Sequence, residues 1–179
     1  NTMENEKPLS NTEKTEPKEE PKSSIEELKD DYEKARTIYD IPSFEELNLN
    51  FQIEKICDIE TNFLLLEVRR HISEKLSGYL KLAETLINPT SAQMVVYHMI
   101  KTFTTNDQEK LREIYKKLAK LEIKVVELDL DFNEEKEAKF IKAAFDEWQT
   151  IKKELLEIIK TTQSKLDTEI KPNGKNYFG

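Results

Sequence analysis

Between Leu111 and Phe132, apolar residues fall at Leu111, Ile114, Leu118, Leu121, Val125, Leu128 and Phe132, in alternating steps of three and four. That rhythm belongs to an α-helix burying one narrow seam. Charged residues fill the gaps: Arg112, Glu113, Lys116, Lys117, Lys120, Glu122, Lys124 and Glu127. Such a helix needs an apolar partner, so the rest of the chain must supply matching stripes. A rival reading exists for the second half. Leu121, Ile123, Val125, Leu128, Leu130 and Phe132 come close to alternating, and the β-branched residues favour strands. A strand there would pair with Leu47–Ile53, where Leu47, Leu49, Phe51 and Ile53 alternate with polar residues. Helix is the preferred reading because nothing between Leu111 and Phe132 breaks one; the strand stays open.

The neighbouring segments carry helical stripes of their own. Ser24 followed by Glu27 fits a capping box and opens a first helix with Ile25, Leu28, Tyr32, Ala35 and Tyr39 on one face, stopped by Pro42. Ser43 and Glu46 form a second box, before a short helix and an extended connector. A long helix is expected from Asp58 to Ile87, its face formed by Leu65, Val68, Ile72, Leu76, Tyr79, Ala83 and Leu86. Asn88-Pro89 ends it. Thr90 or Ser91 caps the next helix, from Met94 to Phe103. That helix is apolar nearly all round and is therefore expected to be largely buried, His98 included. Thr105 and Gln108 cap the central helix, and Asn133 marks the joint to a last helix over Glu134–Asp167, with Ala138, Ile141, Phe145, Trp148, Ile151, Leu155, Ile158, Ile159 and Leu166 as its stripe. The fold class expected is all-α: an antiparallel bundle of four main helices plus a short N-terminal helix.

Composition narrows the class further. The chain has 3 glycines, Gly78, Gly174 and Gly179, too few for β-hairpins and wrongly placed for any glycine-rich phosphate loop. Residues 1–22 hold almost nothing apolar and read as a disordered charged tail; 23–170 form the bundle and 171–179 a C-terminal tail. One cysteine, Cys57, allows no internal disulfide. The longest apolar run is the four residues Phe63–Leu66, far short of a membrane span. With no signal-peptide pattern at its start, the chain is expected in the cytoplasm.

Residues that carry chemistry are sparse. His71 and His98 are too few for a zinc site, and neither has the Glu three residues before it that a di-iron bundle needs; His71, which follows Arg69-Arg70, is expected on a solvated face. Asp129, Asp131 and Asn133 start a calcium-loop pattern that fails, since Glu134 stands where glycine is required and Phe140 where the bidentate Glu must be. No nucleophile elbow can be built without glycine. No metal, cofactor or catalytic group is therefore expected.

The function expected is a non-enzymatic helical interaction module, an adaptor or accessory subunit of a larger intracellular assembly. Its partner is another protein or a second copy. The partner-binding residues expected are Leu155, Ile159 and Leu166 on the long last helix, with Tyr177 and Phe178 in the tail. One alternative is a nucleic-acid-associated regulator. Its candidate phosphate contacts are Arg69, Arg70 and Lys75, with Lys116, Lys117 and Lys120. It is disfavoured, because the net charge is -8 and glutamates interleave with both basic spots. The other alternative is a metal-dependent hydrolase with an acidic site at Asp129, Asp131, Glu134 and Glu135.

Overall fold

A computed structural model describes residues 23–169. In chain order these form α1 (Ser24–Tyr39), α2 (Phe44–Phe51), a 3-10 turn (Ile53–Ile56), α3 (Leu64–Ile87), α4 (Met94–Thr102), α5 (Thr105–Leu130) and α6 (Glu134–Glu169). The all-α bundle expected from the periodicities is present. No strand occurs among the described residues, so both alternating segments are helical. Leu47–Ile53 closes α2 and enters the 3-10 turn, and Leu121–Leu130 completes α5. The expected tails, with Tyr177 and Phe178, lie outside the described residues.

Three long helices make the frame. Arg69 meets Asp129, and Leu86 and Leu111 line one cavity, so α3 and α5 run antiparallel. Lys110 pairs with Glu157 and Lys117 with Glu147, which sets α6 antiparallel to α5. Most of the expected seam is buried: Leu65, Val68, Ile72 and Leu76 from α3 and Leu111, Ile114, Leu118 and Leu128 from α5, joined by Ile141, Ala144, Trp148 and Ile151 from α6, while Tyr79 and Phe132, expected in the seam, are 38% and 47% exposed. Helices α1 and α2 cover the frame. Tyr32 and Phe44 meet edge to face at 5.8 Å, and the Tyr32 hydroxyl donates to the Pro42 carbonyl at 2.7 Å. Burial, reinforced by the Glu33 charge, pushes the Tyr32 phenol well above its usual range.

The helix starts differ from expectation by small steps. The N-cap of α1 is Ser23, which exchanges hydrogen bonds with Glu26, one residue earlier than expected. Thr104 with Asp107 caps α5, again one residue earlier, because a shorter carboxylate at N3 serves as well as Gln108 would one place on. Ser43 and Glu46 form the box the sequence shows. Asn133 accepts from the Lys136 backbone N–H and opens α6. The long helix expected from Asp58 begins at Leu64, since the 3-10 turn and a bend at 57–63 consume the intervening residues. Helix α4 starts after Gln93, with no side-chain cap from Thr90 or Ser91.

Burial of α4 is the larger departure. Its one fully buried residue is Thr102, while Met94 is 73% exposed and Val95 53% exposed, and His98 is exposed as well. The helix touches α6 along one edge only. Val96, Met99 and Ile100 lean on the core, Thr102 meets Thr162, and the Lys165 ammonium donates to the Thr102 carbonyl. His71 departs the other way. Expected on a solvated face, it is half-buried, and its Nε2 donates to the Phe51 carbonyl at 2.8 Å.

Gly78 sits mid-α3 in open space, with nothing within 4 Å of where a Cβ would stand and no positive φ. No close helix crossing depends on it. Gly78→Ala is therefore expected to stabilise the protein by about 0.5–1 kcal/mol, through the restricted unfolded chain and better helix propensity. Urea denaturation of the two proteins measures it.

Candidate functional site

Two features stand out once the frame is assembled: a charged tie inside it and an apolar groove on its surface. The tie joins all three long helices. Arg69 of α3 is 1% exposed and Glu137 of α6 is 0% exposed. The guanidinium grips Glu137 bidentately, Nε to Oε2 at 2.7 Å and an Nη to Oε1 at 3.1 Å, and the same Nη reaches the Asp129 carboxylate of α5 at 2.8 Å. Burial pulls the guanidinium pKa down, and the two carboxylates more than offset it, so the net shift is upward. This planar two-pronged geometry suits Arg and not Lys.

The tie corrects the basic-spot expectation. Arg69 is sealed inside the bundle and is not available to phosphate. Of the others, Arg70 pairs with Glu67, Lys116 with Glu113, and Lys117 reaches Glu147 of α6. Lys75 faces the 3-10 turn, where burial and then the Lys55 charge depress its ammonium. Lys120 is exposed on α5. Carboxylates thus occupy much of each spot. Three of the four acidic candidates have partners, and the fourth, Glu134, is exposed at the start of α6. Asp129 is held by Arg69, Asp131 by Lys136 and Glu135 by Lys139. Among the described residues no group of three His, Cys, Asp or Glu side chains is arranged to hold a metal ion.

The groove lies where the end of α2 approaches α3 and α6. It encloses about 380 Å³ and is lined by Leu49, Asn50, Tyr79, Leu82, Leu86, Leu111, Trp148, Lys152, Leu155, Leu156, Ile158 and Ile159. The reason is geometric. Helix α2 is only 8 residues long, so its cover over the α3–α6 seam stops at Phe51, and the apolar faces of α3 and α6 continue uncovered beyond it. Leu49 is 83% exposed at the rim, with Leu156 and Leu82 partly exposed beside it. Tyr79 and Trp148 meet at 4.6 Å with their rings tilted by 40°, and Phe51 backs Trp148 at 6.0 Å. The indole Nε1 of Trp148 is buried with no hydrogen-bond partner. One cation lines the groove, Lys152, whose ammonium donates to Asn50 Oδ1 at 3.1 Å.

Of the expected partner-binding residues, Leu155 is buried and Ile159 half-buried, and both line the groove; Leu166 is half-buried elsewhere on α6. Two of the three thus lie on the groove wall formed by α6. The α3 wall of the groove was missed, because Tyr79, Leu82 and Leu86 read as ordinary seam residues. The Arg69–Glu137 tie was missed too, although a signal existed. Arg69 stands between Val68 and Ile72 in the buried phase of α3, and Glu137 stands four residues before Ile141 in that of α6. One charge of each sign inside two apolar stripes is the mark of an internal pair.

The arrangement defines an all-α bundle with an internal ionic tie and an open apolar groove. Comparison with protein-family models, with curated proteins and with solved structures finds no match for the chain. Among the described residues no helix is long and apolar enough to cross a membrane.

Proposed function

We propose that this protein is a non-enzymatic interaction module whose groove takes an amphipathic helix from a partner protein. The observation that carries the reading is the groove itself: an uncovered apolar trough floored by aromatics in contact, the composition of binding hot spots. From Trp148 to Ile159 its α6 wall runs about 17 Å, the length of a three-turn helix presenting anchors at i, i+4 and i+7. Lys152 gives the trough a charge preference. An occupant with an acidic residue opposite Lys152 is favoured over a neutral or basic one. An adaptor or accessory subunit of a larger assembly is the role that fits such a surface.

The test is photo-crosslinking in extract of the source cells, with a photoreactive residue placed at Leu82 or at Leu156 and a control at the exposed Lys139. The expected result is one protein linked from both groove positions and not from the control, surviving nuclease, through a segment with helical apolar spacing and an acidic residue. No adduct, or adducts lost on nuclease treatment, would overturn the reading.

A further inference from the structure

Helix α5 carries a second apolar stripe, on a different side from the seam it buries. Ala119, Ile123, Val126 and Leu130 follow one another in steps of four, three and four. Ile123 is 70% exposed, Val126 54% and Leu130 84%. None of them lines the groove. A helix with two apolar seams has two partners.

We propose that the second partner is another copy of this chain, lying antiparallel along the Ala119–Leu130 stripe of α5. Two observations select that occupant. The stripe is self-complementary in size. About a two-fold axis between Ile123 and Val126, each of these meets the other across the interface. Leu130, the bulkiest and most exposed end, then falls on Ala119, the smallest. The flanking charge is self-complementary as well. Lys120 and Glu127 lie on one side of the stripe, Glu122 and Asp129 on the other, with the axis between the members of each pair. An antiparallel copy sets Lys120 beside Glu127 of its mate twice over, in exchange for the pair that Glu127 makes with Lys124 of its own helix, whereas a parallel copy sets Glu122 beside Glu127. The remaining flank brings Glu122 toward Asp129, and there the Arg69 guanidinium already offsets the Asp129 charge. The core of this interface spans about 17 Å of helix, short of the roughly 800 Å² per partner of a standard interface. The dimer is accordingly a reversible one that sharpens with concentration.

Sedimentation equilibrium of the full chain tests it. A monomer–dimer equilibrium is expected, with Ile123→Lys monomeric at every concentration and unchanged in its circular dichroism, since that side chain is exposed. Lys120→Glu weakens the dimer about tenfold and the double variant Lys120→Glu/Glu127→Lys restores it. Direction is read by disulfides in a Cys57→Ser background. Ala119→Cys/Leu130→Cys links copies on mild oxidation, while either single cysteine variant does not. A monomer at about 1 mM, or single variants that link to themselves as parallel helices would, overturns the proposal. Leu82→Asp blocks the groove and leaves this dimer intact, so the two surfaces stand or fall separately.

Discussion

Glu137→Ala is expected to lower the free energy of unfolding by about 3–5 kcal/mol. The substitution removes a methylene and a carboxylate, but that is the smaller part of the loss. It leaves the Arg69 guanidinium 1% exposed with its main counter-charge gone, holding only Asp129 at the edge of the frame. An arginine cannot escape by losing its proton, so the uncompensated charge stays buried or drags α3 open. The double variant Arg69→Met/Glu137→Leu is expected to recover most of the loss, since an apolar pair of similar volume needs no desolvation of charge. Urea denaturation of both variants and of Arg69→Met measures the coupling. If Glu137→Ala cost less than about 1 kcal/mol, the tie would be a wet surface pair and its role in joining the three helices would fall.

The tie also shows where a sequence stops being legible. The seams of α3, α5 and α6 could be read directly, because burial of one face imposes a 3.6-residue period that local charge cannot mimic. The capping boxes of α1, α2 and α5 were readable to within one position, since neighbouring Ser, Thr, Asp and Glu residues offer the same chemistry in adjacent registers, whereas α4 starts after Gln93 without the cap expected from Thr90 or Ser91. What periodicity does not carry is the identity of the neighbour. Arg69 next to Arg70 and His71 looks like a basic patch; only its phase, shared with Val68 and Ile72, points inward. Pairing it with Glu137, 68 residues later, requires knowing that α3 and α6 lie side by side.

Helix α4 fails for the complementary reason. Its apolar residues predict burial, but burial requires a surface to be buried against. Three long helices already satisfy one another's seams, and a helix of 9 residues docked by Thr102, Thr162 and Lys165 covers only one edge. Composition sets how much a helix has to gain from burial and not whether a neighbour is left to provide it. The groove follows the same logic. Leu155 and Ile159 were legible as residues left over by the bundle because α6, at about 54 Å, is longer than α2 and α1 can cover. Tyr79, Leu82 and Leu86 were not, because nothing in the local pattern says that the cover ends at Phe51.

Trp148→Ala is the second substitution of large expected effect, at about 3–5 kcal/mol of lost stability. The indole is 5% exposed and packs between Tyr79 and Phe51, so its removal opens a cavity at the junction of α2, α3 and α6. Trp148→Phe separates packing from polarity at the same place. The Nε1–H has no partner to lose, so the phenyl ring keeps an aromatic floor and relieves a buried unsatisfied donor. Its cost is expected to be well under half that of the alanine. Equal costs would mean that the indole N–H is satisfied by a buried water and that the polar group matters. Because Trp148 is the one tryptophan of the chain, its emission in the unaltered protein also reports on the groove. An occupant seated against Tyr79 and Leu82 shifts that emission, while Leu82→Asp leaves stability nearly unchanged and abolishes the shift. Loss of stability in Trp148→Ala without any emission change on partner addition would assign the residue to the core alone.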